Sequence, residues 1–339
     1  MDILPLCLLI VSCCLLVWYL VERNRRKTRP MPEGLNTDRV IPTEQPWELY
    51  HNNLSLCSKK IRVCLAELKI PYKAHHIDLI ETGSYQNISR EFLKVNPAAL
   101  VPVLIHNGHP IYESHAQLQY AAEHSATPAA LVPADPDKKR LMEYWVTKGS
   151  LIGDDPLAAL EASAGNTIPG LTLPLFGTMI ERIPVKNILE GLLFHRLKER
   201  PLGFLLFKLV GAQRFHHIPP IRKAIQQSRD ALNIHLDELE AVLAQSEGPW
   251  ITGKQFTLAD VGMMVIFERL LEADWIKEFL TERRPQIGRY WASLQTRPSY
   301  QSAIAEFDHP TISRGLDRLQ TIKRHYPAFN QAITADPAC

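Results

Sequence analysis

The stretch Asn96–Leu104 reads NPAALVPVL and places a second proline, Pro102, at the entrance to an apolar run. Asn107-Gly108 begins three residues after Leu104 and separates the segments Val101–Ile105 and His109–Tyr112. Asn-Gly between two strand-like segments is the strongest short signal for a β-hairpin. The stretch therefore predicts two antiparallel strands, with Pro102 at the start of the first.

The residues around this hairpin alternate between strand and helix patterns. In the helix that follows it, Ser114 and Gln117 have the spacing of a capping box. The predicted order is strand Trp47–Tyr50, helix Leu56–Leu68, strand Tyr72–Leu79, helix Ser89–Lys94, the two hairpin strands, and helix Ser114–His124. This βαβαββα order is typical of a thioredoxin-like α/β domain.

Residues 137–310 carry helical patterns only. Tyr144 and Trp145 share one face of a helix predicted over Lys138–Gly149. Farther on, Thr257 and Asp260 form a Thr-x-x-Asp capping box before an apolar helix, so their predicted role is structural. Residues 154–220 form a long insert in which apolar pieces alternate with basic residues. Three interpretations of the insert stay open: an extension of the helical core, a lid over a substrate pocket, or a membrane-surface contact.

The N-terminus predicts a membrane anchor. Ile3–Val21 contains about 19 residues without a charge, which is long enough to span a bilayer. Trp18 and Tyr19 stand near its end, and a cluster of basic residues begins at Arg23. A cleaved signal peptide would need a basic start and a shorter apolar core, so the anchor is the favoured interpretation. By the positive-inside rule, the protein is predicted to be single-pass, with its folded domains on the cytoplasmic side.

The composition excludes several classes of function. The 339-residue chain has a formal net charge of +2, which argues against a nucleic-acid-binding protein. Cys57 and Cys64, seven residues apart on one predicted helix, cannot form a disulfide with each other. No Cys-x-x-Cys is present, so a dithiol oxidoreductase is not indicated. The adjacent pairs His75-His76 and His216-His217 point apart on a strand, and no metal site is expected.

Residues 49–124 resemble the N-terminal domain of glutathione transferases. The resemblance is carried by the NP…VPxL segment and the acidic-Ser pair Glu113-Ser114, and GPWITGKQFTLADV at 248–261 resembles the C-terminal domain. It implies glutathione as cosubstrate. It further implies a cis Pro102 that presents the Val101 backbone to the cysteinyl moiety, with Glu113 and Ser114 holding the γ-glutamyl end. Leu100 departs from the family pattern, which often has Gln or a charged residue there.

The run Ser55–Arg62, SLCSKKIR, resembles the S-[I/L]-C-S-x-K-x-R motif of the tetrachlorohydroquinone reductive dehalogenase branch. By that resemblance, Ser55 would activate the glutathione thiol and Cys57 would be a thiol-exchange nucleophile. The residues alone leave Cys57 open between a reactive thiol at a helix start near Lys59 and Lys60 and a small apolar side chain packed under the helix. The ganglioside-induced differentiation-associated protein group is a looser resemblance, since its membrane helix is C-terminal.

The expected fold is a thioredoxin-like α/β domain followed by an all-α domain, the glutathione transferase fold, preceded by one transmembrane helix. The expected function is glutathione transfer to an apolar electrophile, with Tyr144 and Trp145 as substrate contacts and a homodimer as the expected assembly. The alternative is a non-catalytic protein of this fold that organises or senses at a membrane. The predicted segments are an anchor at 1–22, a basic flank and linker at 23–46, the α/β domain at 47–125, a linker at 126–136, the helical domain at 137–310, and a C-terminal extension at 311–339.

Overall fold

The computed structural model describes residues 3–127, 130–153 and 155–334. The strands are β1 Gly34–Leu35, β2 Trp47–His51, β3 Lys73–His76, β4 Val103–His106 and β5 His109–Tyr112. The helices are α1 Ile3–Arg25, α2 Leu56–Glu67, α3 Arg90–Val95, α4 Ser114–Glu123, α5 Pro136–Lys148, α6 Ala164–Ile180, α7 Val185–Phe194, α8 Glu199–Val210, α9 Pro219–Gln245, α10 Leu258–Glu272, α11 Ile276–Phe279, α12 Pro285–Gln295, α13 Pro298–Ala303, α14 Pro310–His325 and α15 Pro327–Thr334.

The sheet has the order β1-β5-β4-β2-β3, in which β2 and β3 are parallel and the other neighbours are antiparallel. The predicted hairpin forms β4 and β5. Asn107 and Gly108 both have positive φ, 50° and 83°, as a tight turn between twisted strands requires. The Val101-Pro102 peptide bond is cis, as the family resemblance implied. The predicted α/β domain is therefore present.

The segment expected to be a basic flank and linker is ordered against this domain. Residues Gly34 and Leu35 form β1, which pairs with the outer edge of β5 opposite Tyr112 and Ile111. The Arg29 amide also donates to the Pro97 carbonyl, at 2.9 Å. The linker prediction was therefore incomplete. A strand of two residues is too short to show an alternating sequence pattern, so its pairing with a distant sheet edge could not be predicted.

The second half of the described chain is helical, with α6 packed against both α9 and α10. The tail expected to be an extension belongs to this half: α14 lies across α6, where Thr178 donates to the Gly315 carbonyl at 2.9 Å. A Cβ at Gly315 would lie 2.6 Å from the Met179 side chain, so the two helices meet at a close contact.

The insert divides into two parts. Helix α6 is buried on nearly every side, so the core interpretation holds for it. Helices α7 and α8 pack against each other and leave a row of leucines exposed.

Helix α1 is long and apolar enough to cross a membrane, and it ends three residues beyond the predicted anchor. It is 23 residues long, has a mean hydropathy of 2.6 in its most apolar window, and none of that window is buried. Its last turns contact the folded part: Glu22 is buried and pairs with Arg26, at 2.6 Å, and with Arg90 of α3.

The predicted capping box begins α10. The Asp260 carboxylate accepts hydrogen bonds from the Thr257 amide at 2.8 Å and the Thr257 hydroxyl at 3.0 Å. It also accepts from the Ile251 amide at 3.1 Å and the Tyr290 hydroxyl at 2.9 Å. Burial raises the pKa of Asp260 to about 6, against the opposing effect of these hydrogen bonds. The residue thus joins the start of α10 to α12 as well as capping it.

We expect Asp260→Ala to lower the free energy of unfolding by at least about 3 kcal/mol, because several buried donors lose their acceptor at once. Thr257→Ala should cost about 0.5–2 kcal/mol, the usual effect of a lost cap. In wild type, folding takes up a proton between pH of about 4 and about 6, so this group makes stability fall with rising pH in that window. Urea unfolding at a series of pH values would measure the loss of stability in each variant and the pH dependence of wild type. A folded Asp260→Ala variant without activity would contradict the structural role.

Candidate functional site

Three loops meet at one end of the sheet. Register pairs Tyr50 near the end of β2 with Val103 at the start of β4, just after Pro102. It also pairs Leu104 with Ile111, so the end of β5 lies beside the start of β4. The loop leading to Ser55, the cis-proline loop and the Glu113 turn therefore lie at the same sheet end, as the site prediction requires.

Ser55 is the N-cap of α2, and its position depends on the buried Asn52. The Ser55 hydroxyl oxygen accepts from the Ser58 amide at 3.2 Å, which leaves the hydroxyl proton available for donation. The Asn52 side chain accepts from the amides of Leu54 and Ser55, at 2.9 and 3.3 Å. Its own amide donates to the Ile77 carbonyl at 2.9 Å. Ser55 is half-buried, and the hydrogen bonds of the buried Asn52 fix its backbone position.

Cys57 lies in the first turn of α2 and is half-buried, whereas its neighbours Leu56 and Ser58 are buried. The interpretation of Cys57 as a buried filler is therefore not favoured. Cys64, two turns later, is fully buried, and burial raises its pKa.

Lys59 and Lys60, which follow Cys57 on α2, are not free cations. Lys59 forms a buried ion pair with Glu272 of α10, and Lys60 donates to the Gly149 carbonyl at the end of α5. Burial lowers the pKa of Lys60, and the neighbouring Cys57 opposes that shift. The expectation of two lysines around Cys57 thus holds for Lys60 alone, while Lys59 is neutralised by a carboxylate.

Arg62, the last residue of the motif, joins the site to the helical half. Its guanidinium donates to the Ala303 carbonyl at 2.8 Å and the Asn52 carbonyl at 3.3 Å, and lies over the Phe307 ring at 4.5 Å. Burial and Arg62 lower the pKa of His51 to about 3, so this histidine is neutral at physiological pH. Sequence reasoning gave no role to Asn52 or Arg62. For Asn52, the one local signal was its position three residues before the helix cap, where an Asn side chain often accepts hydrogen bonds from the following backbone amides.

Glu113 is the N-cap of α4 and has φ of 66°, a conformation that costs energy in a residue with a Cβ. This corrects the predicted capping box: Ser114 is the first helical residue, not the cap. Gln117 donates instead to the carbonyls of Pro102 at 3.0 Å and Ile111 at 2.8 Å. Those bonds tie α4 to the cis-proline loop.

This arrangement fits a small anionic peptide. The Glu113 turn leaves the first amides of α4 facing the sheet end, where a helix N-terminus favours a carboxylate. Glu113 is exposed and Ser114 half-buried, so both can be reached. The segment before β1 also reaches this end of α4, because Glu33 pairs with His115 at 2.8 Å.

Tyr144 and Trp145 do not fit the predicted substrate contacts. Trp145 is fully buried in the core cluster. Tyr144 is exposed on the same helix, donates a hydrogen bond to Glu238 and lies near Lys148. The prediction that both residues lie on one helix is correct, but Trp145 is buried in the core and Tyr144 is exposed to solvent.

His75 and His76 point apart, as predicted: His75 bonds Glu48 at 2.6 Å, and His76 bonds Asp78 at 3.1 Å. The expectation that nothing resembles a metal site needs one correction. The chain brings His309 beside His76, and ligand atoms of His76, Asp78 and His309 lie within 4.8 Å of one another.

Comparison with known proteins identifies two domain families in the order expected. Residues 54–124 match the family model described as glutathione S-transferase, N-terminal domain, and residues 222–306 match glutathione S-transferase, C-terminal domain. Among solved structures, the beta-etherase LigF from Sphingobium sp. strain SYK-6 superposes with a TM-score of 0.59 at 18% identity. That alignment covers 77% of this chain and 100% of the other.

Two curated relatives span most of the chain. Glutathione S-transferase TCHQD of Arabidopsis thaliana is 24% identical over 267 residues, covering 77% of this chain and 90% of the relative. The tetrachloro-p-hydroquinone reductive dehalogenase of Sphingobium chlorophenolicum is 22% identical over 272 residues, covering 75% and 94%. The predicted branch and the prediction of a glutathione transferase-like enzyme are thereby confirmed. The chain thus carries a glutathione S-transferase N-terminal domain followed by a glutathione S-transferase C-terminal domain.

Proposed function

We propose that the protein is a membrane-anchored, glutathione-dependent transferase that acts on an apolar electrophile and exchanges thiols through Cys57. The observation that carries the proposal is the start of α2. There a capping hydroxyl, Ser55, and a half-buried thiol, Cys57, stand two residues apart at the sheet end where the cis-proline loop and the Glu113 turn also lie.

In the first step, the glutathione thiolate displaces a leaving group X from the substrate R–X and forms R–SG. The Ser55 hydroxyl donates a hydrogen bond to the thiolate, while the free amides at the start of α2 add favourable electrostatics. The backbone of Val101 and Pro102 faces the cysteinyl part of the peptide, and Glu113 and Ser114 hold its γ-glutamyl end.

In the second step, the Cys57 thiolate attacks the sulfur of R–SG. The carbon–sulfur bond breaks, R leaves with the electron pair and takes a proton, and Cys57 becomes a mixed disulfide with glutathione. A second glutathione thiolate then attacks that disulfide, releasing glutathione disulfide and the Cys57 thiolate. The net reaction, R–X + 2 GSH → R–H + GSSG + HX, is balanced.

Helix α1 supplies the anchor in this proposal, with the basic residues after it on the cytoplasmic side. Its exposed apolar surface supports this reading, since a soluble protein would bury such a helix. An apolar substrate that partitions into lipid would then be concentrated near the enzyme. The homodimer remains a prediction.

We expect Glu113→Ala and Ser114→Ala each to weaken glutathione binding by roughly 1–3 kcal/mol, the cost of losing a charge-assisted hydrogen bond. Isothermal titration with glutathione on the full-length detergent-solubilised protein would measure it. Glu123→Ala removes an exposed carboxylate at the other end of α4 and serves as the matched control. Wild-type protein that does not bind glutathione would favour the non-catalytic alternative, and unchanged affinity in both variants would place the peptide elsewhere.

A further inference from the structure

The hairpin formed by α7 and α8 is fixed to the α/β domain by specific contacts on its inner side. The Asn187 side chain donates to the Gly83 carbonyl at 2.8 Å, and Arg200 pairs with the buried Glu81. At Gly191 the helix lies so close to Tyr85 that a Cβ there would be 2.3 Å from the ring. Its orientation on the protein is therefore defined.

The outer side of the same hairpin is apolar. Its exposed residues recur three or four positions apart, so they share one face of each helix. They are between 41% and 76% exposed: Val185, Leu189 and Leu193 on α7, Leu197 in the connection, and Leu202, Leu206 and Leu209 on α8. A group of exposed apolar side chains on two helices that pack together usually marks an interaction site.

The end of α1 packs against the hairpin beside this apolar face. The rings of Trp18 and Tyr19 lie 6.1 and 6.0 Å from that of Phe194, the last residue of α7. Arg26 pairs with Glu190 at 2.6 Å and lies over the Phe194 ring at 4.7 Å. The point where α1 would leave the bilayer is therefore held beside the hairpin.

Basic side chains lie near the junction and along the hairpin. Arg23 and Arg25 of α1 are exposed, as are Lys186 and Arg196 beside the leucine row. Burial lowers the pKa of Lys198, and the nearby Arg23 charge lowers it further, which indicates that cations from α1 and the hairpin gather at one place. Of the acidic groups on the hairpin, Glu190 is paired with Arg26, and Glu199 is exposed.

We infer that the outer face of α7 and α8 lies in the headgroup–acyl boundary of the same bilayer that α1 crosses, with the basic residues against anionic headgroups. A helix with an apolar face and a basic border occupies this depth in a membrane. Anionic headgroups attract basic side chains that lie near the membrane surface. The inference rests on the anchoring by α1 proposed above. Because the hairpin is bonded to the α/β domain, its contact with the membrane would fix the orientation of that domain relative to the lipid surface.

The test uses full-length protein reconstituted in phosphatidylcholine–phosphatidylserine vesicles that contain a phosphatidylcholine with a diazirine on its upper acyl chain. After illumination, peptide mapping by mass spectrometry would locate the attached lipid. We expect label on α1 and on the leucine rows of α7 and α8, at least about tenfold above background, because interfacial helices bury their apolar face among acyl chains. Ile234 of α9, 64% exposed but isolated, is the matched control and should stay near background.

Label on α1 without label on the hairpin would overturn the inference and leave the anchor in place. Absence of label on α1 as well would overturn both. Cross-links between hairpins of two protein copies, without lipid on the hairpin, would assign the face to a second copy and also overturn the inference. In a variant with Leu189→Glu and Leu206→Glu, hairpin labelling should fall to background while α1 labelling persists. Ile234→Glu should change neither.

Discussion

Replacing Ser55 with alanine or with glycine is expected to slow conjugation by roughly 10²-fold or more, the usual effect of removing one donor from a developing charge. Both substitutions remove the hydroxyl that would bind the glutathione thiolate. They differ in their effect on the helix, because alanine is a poor N-cap and costs about 1 kcal/mol, whereas glycine costs only a few tenths. Equal activity losses with unequal stability losses would separate thiolate activation from capping.

Ser55→Thr is the matched rescue variant, since it keeps both the hydroxyl and the capping oxygen. Single-turnover kinetics with a generic aromatic electrophile would measure the chemical step in all three variants. Activity in Ser55→Gly equal to wild type would show that the hydroxyl serves only the Ser58 amide, to which it is bonded at 3.2 Å.

Replacing Cys57 with serine is expected to stop the reaction at the glutathionyl adduct. The first step does not use Cys57, so the electrophile should still be consumed. The mixed disulfide cannot form without the thiol, so R–SG should accumulate in nearly the amount of electrophile consumed. Mass spectrometry of the products would show the adduct in the variant and R–H with glutathione disulfide in wild type.

Cys64→Ser is the control for this experiment, because Cys64 lies on the same helix but is fully buried. It should give wild-type products. Reduced product from Cys57→Ser would remove the exchange step. An adduct as the end product of wild type would leave a simple transferase with Ser55 as its active group.

Features carried by neighbouring residues were predictable from the sequence. The Asn107-Gly108 hairpin and the Thr257–Asp260 box each depend on residues within a few positions. The chemistry of these local patterns is independent of the rest of the fold, so they were placed correctly.

What the sequence did not predict depends on contacts between distant segments. Lys60 reaches the end of α5, and Arg62 reaches Ala303, 241 residues away. At Ser114 a local pattern was overridden, because Gln117 bonds the Pro102 carbonyl instead of completing the capping box. Trp145 was assigned to the substrate from helix spacing, which cannot distinguish a pocket wall from the core.

The central claim is that the start of α2 binds glutathione as a thiolate. Ultraviolet difference titration of bound glutathione measures this directly, in the Cys57→Ser background so that only the thiol of the peptide contributes at the site. We predict that the bound thiol ionises about two pH units below free glutathione, which corresponds to the expected rate effect of Ser55. Adding Ser55→Gly should abolish most of that shift. A bound thiol that titrates like free glutathione would contradict the account.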